Sequence, residues 1–240
     1  MTRINQRIDF DSSITTNHVG KPKRRKEATK PPKNAKEAKA IIDELYDRSP
    51  LLALTSSMSA LTGLRYSDAS WLKFSDFKDE FGNWKSSFDV CQQKTYRMRI
   101  ARNKDNATSA YNASLVRIFL NEDIKEIVEE CRFLSCSKEF LFANKRSRVV
   151  DEQGRTIDRP MDIRSANYHH ENVRKKLKLN YSLNTHSWRK YFAKKLIQKG
   201  ETLEKVRDSL GQTSLNSTNH YLTTFDEELA PIIEKMRLFE

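Results

Sequence analysis

The segment Thr62-Gly63-Leu64-Arg65-Tyr66-Ser67-Asp68 decides how the chain is read. Upstream of it, Leu51, Leu54, Met58 and Leu61 follow Ser49-Pro50, a cap and then a proline suited to the first helical position. Gly63 is a natural helix stop, and Ser67 is suited to cap a short helix holding Asp68 and Trp71. Arg65 therefore falls between two helices.

Working outward, residues 35–47 predict another helix, with Ala38, Ile41, Ile42 and Leu45 on one face. Residues 83–101 change period. Phe88 and Val90 alternate with Asp89 and Cys91, and Tyr96, Met98 and Ile100 alternate with Arg97 and Arg99. That pattern predicts two strands joined by a turn at Gln92-Gln93-Lys94-Thr95. Residues 112–131 return to a helical pattern through Leu115, Ile118, Phe119, Ile124, Ile127 and Val128. Residues 162–178 predict a helix with a basic end, Arg174, Lys175, Lys176 and Lys178. Residues 185–199, 202–210 and 214–222 predict three more, punctuated by Gly200 and Gly211. The expected fold is mainly α with a small antiparallel β-sheet (α+β).

The chain has 240 residues and a formal net charge of +12. That excess suggests a polyanionic partner, most often nucleic acid. No apolar run reaches the roughly 18 residues of a membrane span. The first residues carry no apolar stretch of the kind a secretory signal needs. Three cysteines, Cys91, Cys131 and Cys136, lack CxxC spacing, so neither a disulfide framework nor a cysteine zinc site is expected, and a reducing, cytoplasmic setting is. Adjacent His169 and His170 diverge on a helix and cannot chelate together. No HExxH, Walker or GxGxxG pattern occurs, and no cofactor is expected.

Residues 1–33 hold nine Lys/Arg against three Asp/Glu and read as a flexible basic arm, with the folded part beginning near Asn34. Residues 34–225 form the expected catalytic unit. Residues 226–240 form an amphipathic tail, in a region (221–240) where five acids outnumber two bases. It is suited either to folding back on its own core or to docking on a neighbouring protomer.

Three further pieces complete the argument: His186-Ser187-Trp188-Arg189, Leu210-Gly211-Gln212, and Tyr221 nine residues after Gln212. His186 and Arg189 lie three apart, on one face of a helix. Paired guanidiniums suit the charge that builds on a phosphodiester during cleavage, because each fork gives two parallel hydrogen bonds. In this order and spacing the pieces resemble the catalytic domain of the tyrosine recombinases, the phage integrase family. That family has an arginine in a TGLR-x-S-E/D segment, a hairpin lysine, H-x-x-R, LG-H/W, and a tyrosine nine residues on. Arg65 matches the first arginine, Lys94 the lysine (with Lys104 as runner-up), His186 and Arg189 the pair, and Tyr221 the nucleophile. The likeness covers roughly residues 35–225.

The resemblance implies site-specific recombination of double-stranded DNA through a 3′-phosphotyrosine. Tyr221 attacks, Arg65, His186 and Arg189 stabilise the transition state, and Lys94 protonates the leaving 5′ oxygen. Asp68 holds Arg65 in place or caps a helix. Gln212 stands where most members have His and some have Trp; its amide still donates a hydrogen bond but does not titrate. Arg97, Arg99, Lys175 and Lys176 are the expected DNA-binding cations. A homo-tetramer on two sites, with accessory DNA-bending proteins, is the expected assembly. Many members carry a separate helical DNA-clamping domain ahead of this one, where here only the basic arm is present. A type IB topoisomerase-like relaxing enzyme and a non-cleaving DNA-binding regulator of the same fold are the alternatives.

Overall fold

A computed structural model describes residues 28–102 and 106–212. The basic run at 21–26, Lys104, Tyr221 and the 226–240 tail lie outside the described residues.

Helix α1 (Ala35–Arg48) starts where Asn34 accepts a hydrogen bond from the Glu37 N–H at 2.8 Å, and it buries Ala38, Ile41 and Leu45. Helix α2 (Pro50–Thr62) begins at its proline and ends at Gly63 in the left-handed region, φ 71°. It is buried on nearly every side, small polar Thr55, Ser56 and Ser59 included, which places it at the centre: it packs on α1 and, further along the chain, on α7 and α9. Short helices α3 (Tyr66–Ala69) and α4 (Phe74–Phe77) follow. Strand β1 (Ser87–Cys91) leads into helices α5 (Gln93–Arg102) and α6 (Ala107–Asn112). Strand β2 (Leu115–Phe119), helix α7 (Glu122–Leu134), the small hairpin β3 (Val149–Val150) and β4 (Thr156–Ile157), and helices α8 (Ile163–Lys176), α9 (His186–Gln198) and α10 (Leu203–Ser209) complete the described residues.

Two apolar clusters meet at α2. Leu54 and Met58 join Leu64, Phe77, Val116, Ile118, Ile124 and Val128 on one side. Leu52 and Ala53 join Ile41, Leu45, Tyr66, Val173 and Trp188 on the other. The mainly helical expectation with a small antiparallel sheet is met.

The sheet itself differs from its expected pairing. The partner of β1 is β2, with Phe88 opposite Ile118 and Val90 opposite Val116, and residues 96–100 lie in α5. The alternation of Tyr96, Met98 and Ile100 therefore misled. Those side chains lie outside the buried clusters, whereas Val116 and Ile118 point into the first one. A strand forms where its inward side chains fill a core, and β-branched Val116 and Ile118 suit that place. Arg117 pairs with Asp89 across the exposed face at 3.0 Å. The true start of the following helix is marked by Asn121, which accepts from the Ile124 N–H at 2.9 Å.

The folded part also begins earlier than Asn34. Thr29 pairs with Ser182 as a parallel bridge, and Pro31 and Pro32 are buried. Lys190 and Lys194 of α9 donate to the carbonyls of Thr29 and Lys33 at 2.6 and 2.7 Å.

Candidate active site

Arg65 sits in extended backbone (φ −67°, ψ 150°) as the residue before α3. Its half-buried side chain reaches β1, where Nη1 donates to Gln92 Oε1. The turn that presents it depends on Gly63. A Cβ there would lie 2.6 Å from the Phe192 ring of α9, so the positive φ and the close approach of α9 both demand glycine.

Arg189, one turn into α9, is fully buried. Its Nη1 donates to the Gly63 carbonyl at 2.6 Å and its Nη2 to the Leu210 carbonyl at 2.7 Å. Leu210 caps the end of α10, and the next residue, Gly211, has φ 59°. A Cβ on Gly211 would overlap Val116 and come within 3.0 Å of Gln92 Nε2. Gln92 Nε2 donates to the same Leu210 carbonyl at 2.9 Å.

His186 opens α9. Asn184 accepts from its N–H at 2.8 Å, and Asn167 of α8 accepts from the Thr185 N–H at 3.0 Å, so two amides set the start of the helix. Burial, followed by the positive charges of Arg189, Lys190, Arg65 and Lys94, pushes the imidazole down to about 4. The imidazole is therefore neutral at pH 7, with one N–H and one bare nitrogen. Those cations come from three separate segments: α9 itself, the turn before α3 and the start of α5.

Lys94 is in this cluster, yet it lies in the first turn of α5 rather than in a hairpin turn. Asp68 sets its place through the backbone: Oδ1 accepts from the Gln93 N–H at 3.1 Å. Burial raises the Asp68 carboxyl, against the Gln93 N–H and the charges of Arg65 and Arg189. Asp68 thus touches the segment carrying Lys94, and Arg65 takes Gln92 as its hydrogen-bond partner.

Gln212 follows Gly211, and its N–H donates to the Arg207 carbonyl at 3.0 Å, closing the end of α10. Arg97 and Arg99 lie on α5, not on a strand. Lys176 pairs with Glu44 of α1, and Lys175 lies 3.7 Å from Glu171, so acids of α1 and α8 hold this basic end. Sequence reasoning missed Lys190 and Gln92. Gln92 had a signal: it continues the inward register of Phe88 and Val90, where a polar side chain must find partners.

Two guanidiniums, a lysine and a neutral imidazole thus come together on a mainly helical scaffold. The phage integrase family model matches residues 33–228, and the chain belongs to that family. The structure resembles XerA recombinase with a TM-score of 0.58 at 18% identity, over 85% of this chain and 65% of that one. It resembles the catalytic domain of bacteriophage HP1 integrase with a TM-score of 0.50 at 14% identity, over 87% of this chain and 96% of that one. A lambda integrase tetramer bound to a Holliday junction matches with a TM-score of 0.55 at 19% identity, over 82% of this chain and 49% of that one. The chain thus spans less than two thirds of the XerA and lambda structures. No curated protein matches it. Among the described residues no helix is long and apolar enough to cross a membrane.

Proposed function

We propose that this chain cleaves and rejoins double-stranded DNA at specific sites through a 3′-phosphotyrosine at Tyr221. The observation that carries the reading is the convergence of Arg65, Lys94, His186 and Arg189, from three separate segments (the turn before α3, α5 and α9), into one electrostatic cluster. Arg65 and Arg189 hold the nonbridging oxygens of the scissile phosphate, where charge grows in the transition state. Neutral His186 takes the phenol proton as Tyr221 attacks phosphorus. The P–O5′ bond breaks, and Lys94 supplies the proton to the leaving 5′ oxygen. Gln212 adds one amide donor. Bond energy is kept in the phosphotyrosine, so attack by a 5′ hydroxyl of a partner strand rejoins DNA without fuel.

Because each protomer makes one cut, exchange needs four copies on two sites, as in the lambda integrase tetramer bound to a Holliday junction. The basic arm grips flanking phosphates, the tail links protomers, and accessory DNA-bending proteins assist assembly in the cytoplasm.

The test is covalent trapping. A nicked suicide DNA carrying a site selected from the host element is incubated in chelator with wild-type protein and with Tyr221→Phe. A denaturing gel should show a protein–DNA adduct in wild type alone. Tight binding with no adduct from either protein would overturn the reading in favour of a regulator that only binds DNA.

A further inference from the structure

We infer that Gln92 is a positioning residue that joins the two arginines into a single phosphate-binding unit. This rests on the cleavage reading above. Gln92 is fully buried at the end of β1. Its Oε1 accepts from Arg65 Nη1, and its Nε2 donates to the Leu210 carbonyl at 2.9 Å. That carbonyl also accepts from Arg189 Nη2 at 2.7 Å, and Arg189 Nη1 returns to the Gly63 carbonyl at 2.6 Å. Gly63 lies two residues before Arg65, so the contacts close a ring: Arg65, Gln92, Leu210, Arg189, Gly63, and back along the chain to Arg65.

The chemistry of the ring selects a carboxamide. One end must accept from a guanidinium, which only donates, and the other must donate to a carbonyl, which only accepts. Those partners also fix which end of the amide is oxygen. A carboxylate at the same length accepts at both ends and would face the Leu210 carbonyl with an oxygen. Methionine fills the space and supplies neither bond. Gly211 leaves room for the amide, since a Cβ there would come within 3.0 Å of Nε2.

The ring explains how side chains from α9, β1 and the turn before α3 keep one aim. Each arginine has five N–H donors in a planar fork, and those committed to the ring fix how that fork is aimed. Buried hydrogen bonds of this kind restrict a catalytic side chain to its productive geometry. Gln93 and Lys94 follow directly, so β1 ends by ordering three parts of the site: Gln92 ties the arginines, the Gln93 N–H meets Asp68, and Lys94 enters the cluster.

The experiment compares wild type, Gln92→Met, Arg65→Ala and the Gln92→Met/Arg65→Ala double variant. Single-turnover cleavage of the suicide DNA and DNA affinity by fluorescence anisotropy are read for each. Gln92→Met should slow cleavage by about 100-fold, the scale of an ångström of misplacement, and change the Kd less than about threefold. The double variant should lose less than the product of the two single losses, because much of what Gln92 does passes through Arg65. Independent losses that multiply, or Gln92→Met cleaving within about threefold of wild type, would overturn the inference while leaving the cleavage reading intact. No adduct from wild type would overturn both. If Gln92→Met unfolds, Gln92→Glu carries the test at unchanged size: it should bind DNA and cleave more slowly than wild type, and cleavage at the wild-type rate would overturn the inference.

Discussion

His170 sits in the middle of α8, where Trp188 of α9 reaches it, and His186 opens α9. Both imidazoles are pushed down to about 4, with burial as the largest cause in each. What surrounds them differs. His170 is closed in: Nδ1 lies 2.8 Å from the Ala166 carbonyl, and Nε2 accepts from the Trp188 indole at 2.8 Å. These contacts define a neutral tautomer. His186 is half-buried and meets four cations. Its neutrality is conditional, because a bound phosphate would offset those charges and favour the proton. Burial keeps both histidines neutral; at His170 hydrogen bonds close the ring in, and at His186 the neighbouring cations disfavour the proton further. Trp188 and Arg189 repeat the lesson on adjacent residues of α9. Both are fully buried, one in an apolar cluster and one against the Gly63 and Leu210 carbonyls.

The strongest way to break the comparison is to remove each imidazole. His186→Gln should slow covalent cleavage by about 10²- to 10⁴-fold, the usual share of a general acid or base, with little change in melting temperature. His170→Ala should do the reverse. It leaves a cavity and strands the Trp188 indole N–H, for a loss of about 2–4 kcal/mol in urea unfolding, while the folded fraction cleaves at the wild-type rate. Equal losses of cleavage in both variants would erase the distinction.

A smaller effect is expected at Gly211. Gly211→Ala places a methyl into Val116 and against Gln92 at a positive φ. It should destabilise by about 1–3 kcal/mol and also slow cleavage, since Gln92 is displaced. A stability loss in chemical denaturation without a cleavage defect would show that the glycine serves packing alone.

The smallest effect lies in pH. Both histidines bind protons less readily folded than unfolded, so the unfolded chain takes up more protons between about 6.5 and about 4. Their stabilisation is complete above that window and is lost as pH falls through it, by at most about 1.4 kcal/mol per pH unit for each. Asp68, raised by burial, works in the opposite direction. Urea midpoints from pH 7 to 5 should therefore fall. NMR titration sharpens the contrast: DNA should raise the His186 pKa and leave that of His170 unchanged.

Much of this was legible in the chain. The helices around the site show in apolar spacing and caps such as Pro50 and Gly63, because helix periodicity and capping are local. Arg65, His186, Arg189 and Lys94 show in their order and residue types. The partner of β1 was not legible. Tyr96-Arg97-Met98-Arg99-Ile100 alternates like a strand, and only the shape of the first cluster awards the place to Val116 and Ile118. The start of the domain was hidden as well, because Pro31 and Pro32 look like linker until Ser182 and the lysines of α9 close on their neighbours.

The sequence by itself determined the family the chain belongs to and the helical scaffold that bears its candidate site. Tertiary structure alone decided how the arginines are aimed and why Gln92 matters. Gln92 meets the Leu210 carbonyl across 118 positions, and Arg189 meets the Gly63 carbonyl across 126. Such bonds leave no periodic trace in sequence. Their partners are backbone carbonyls, which every residue has, and only folding determines which of them a buried side chain will face.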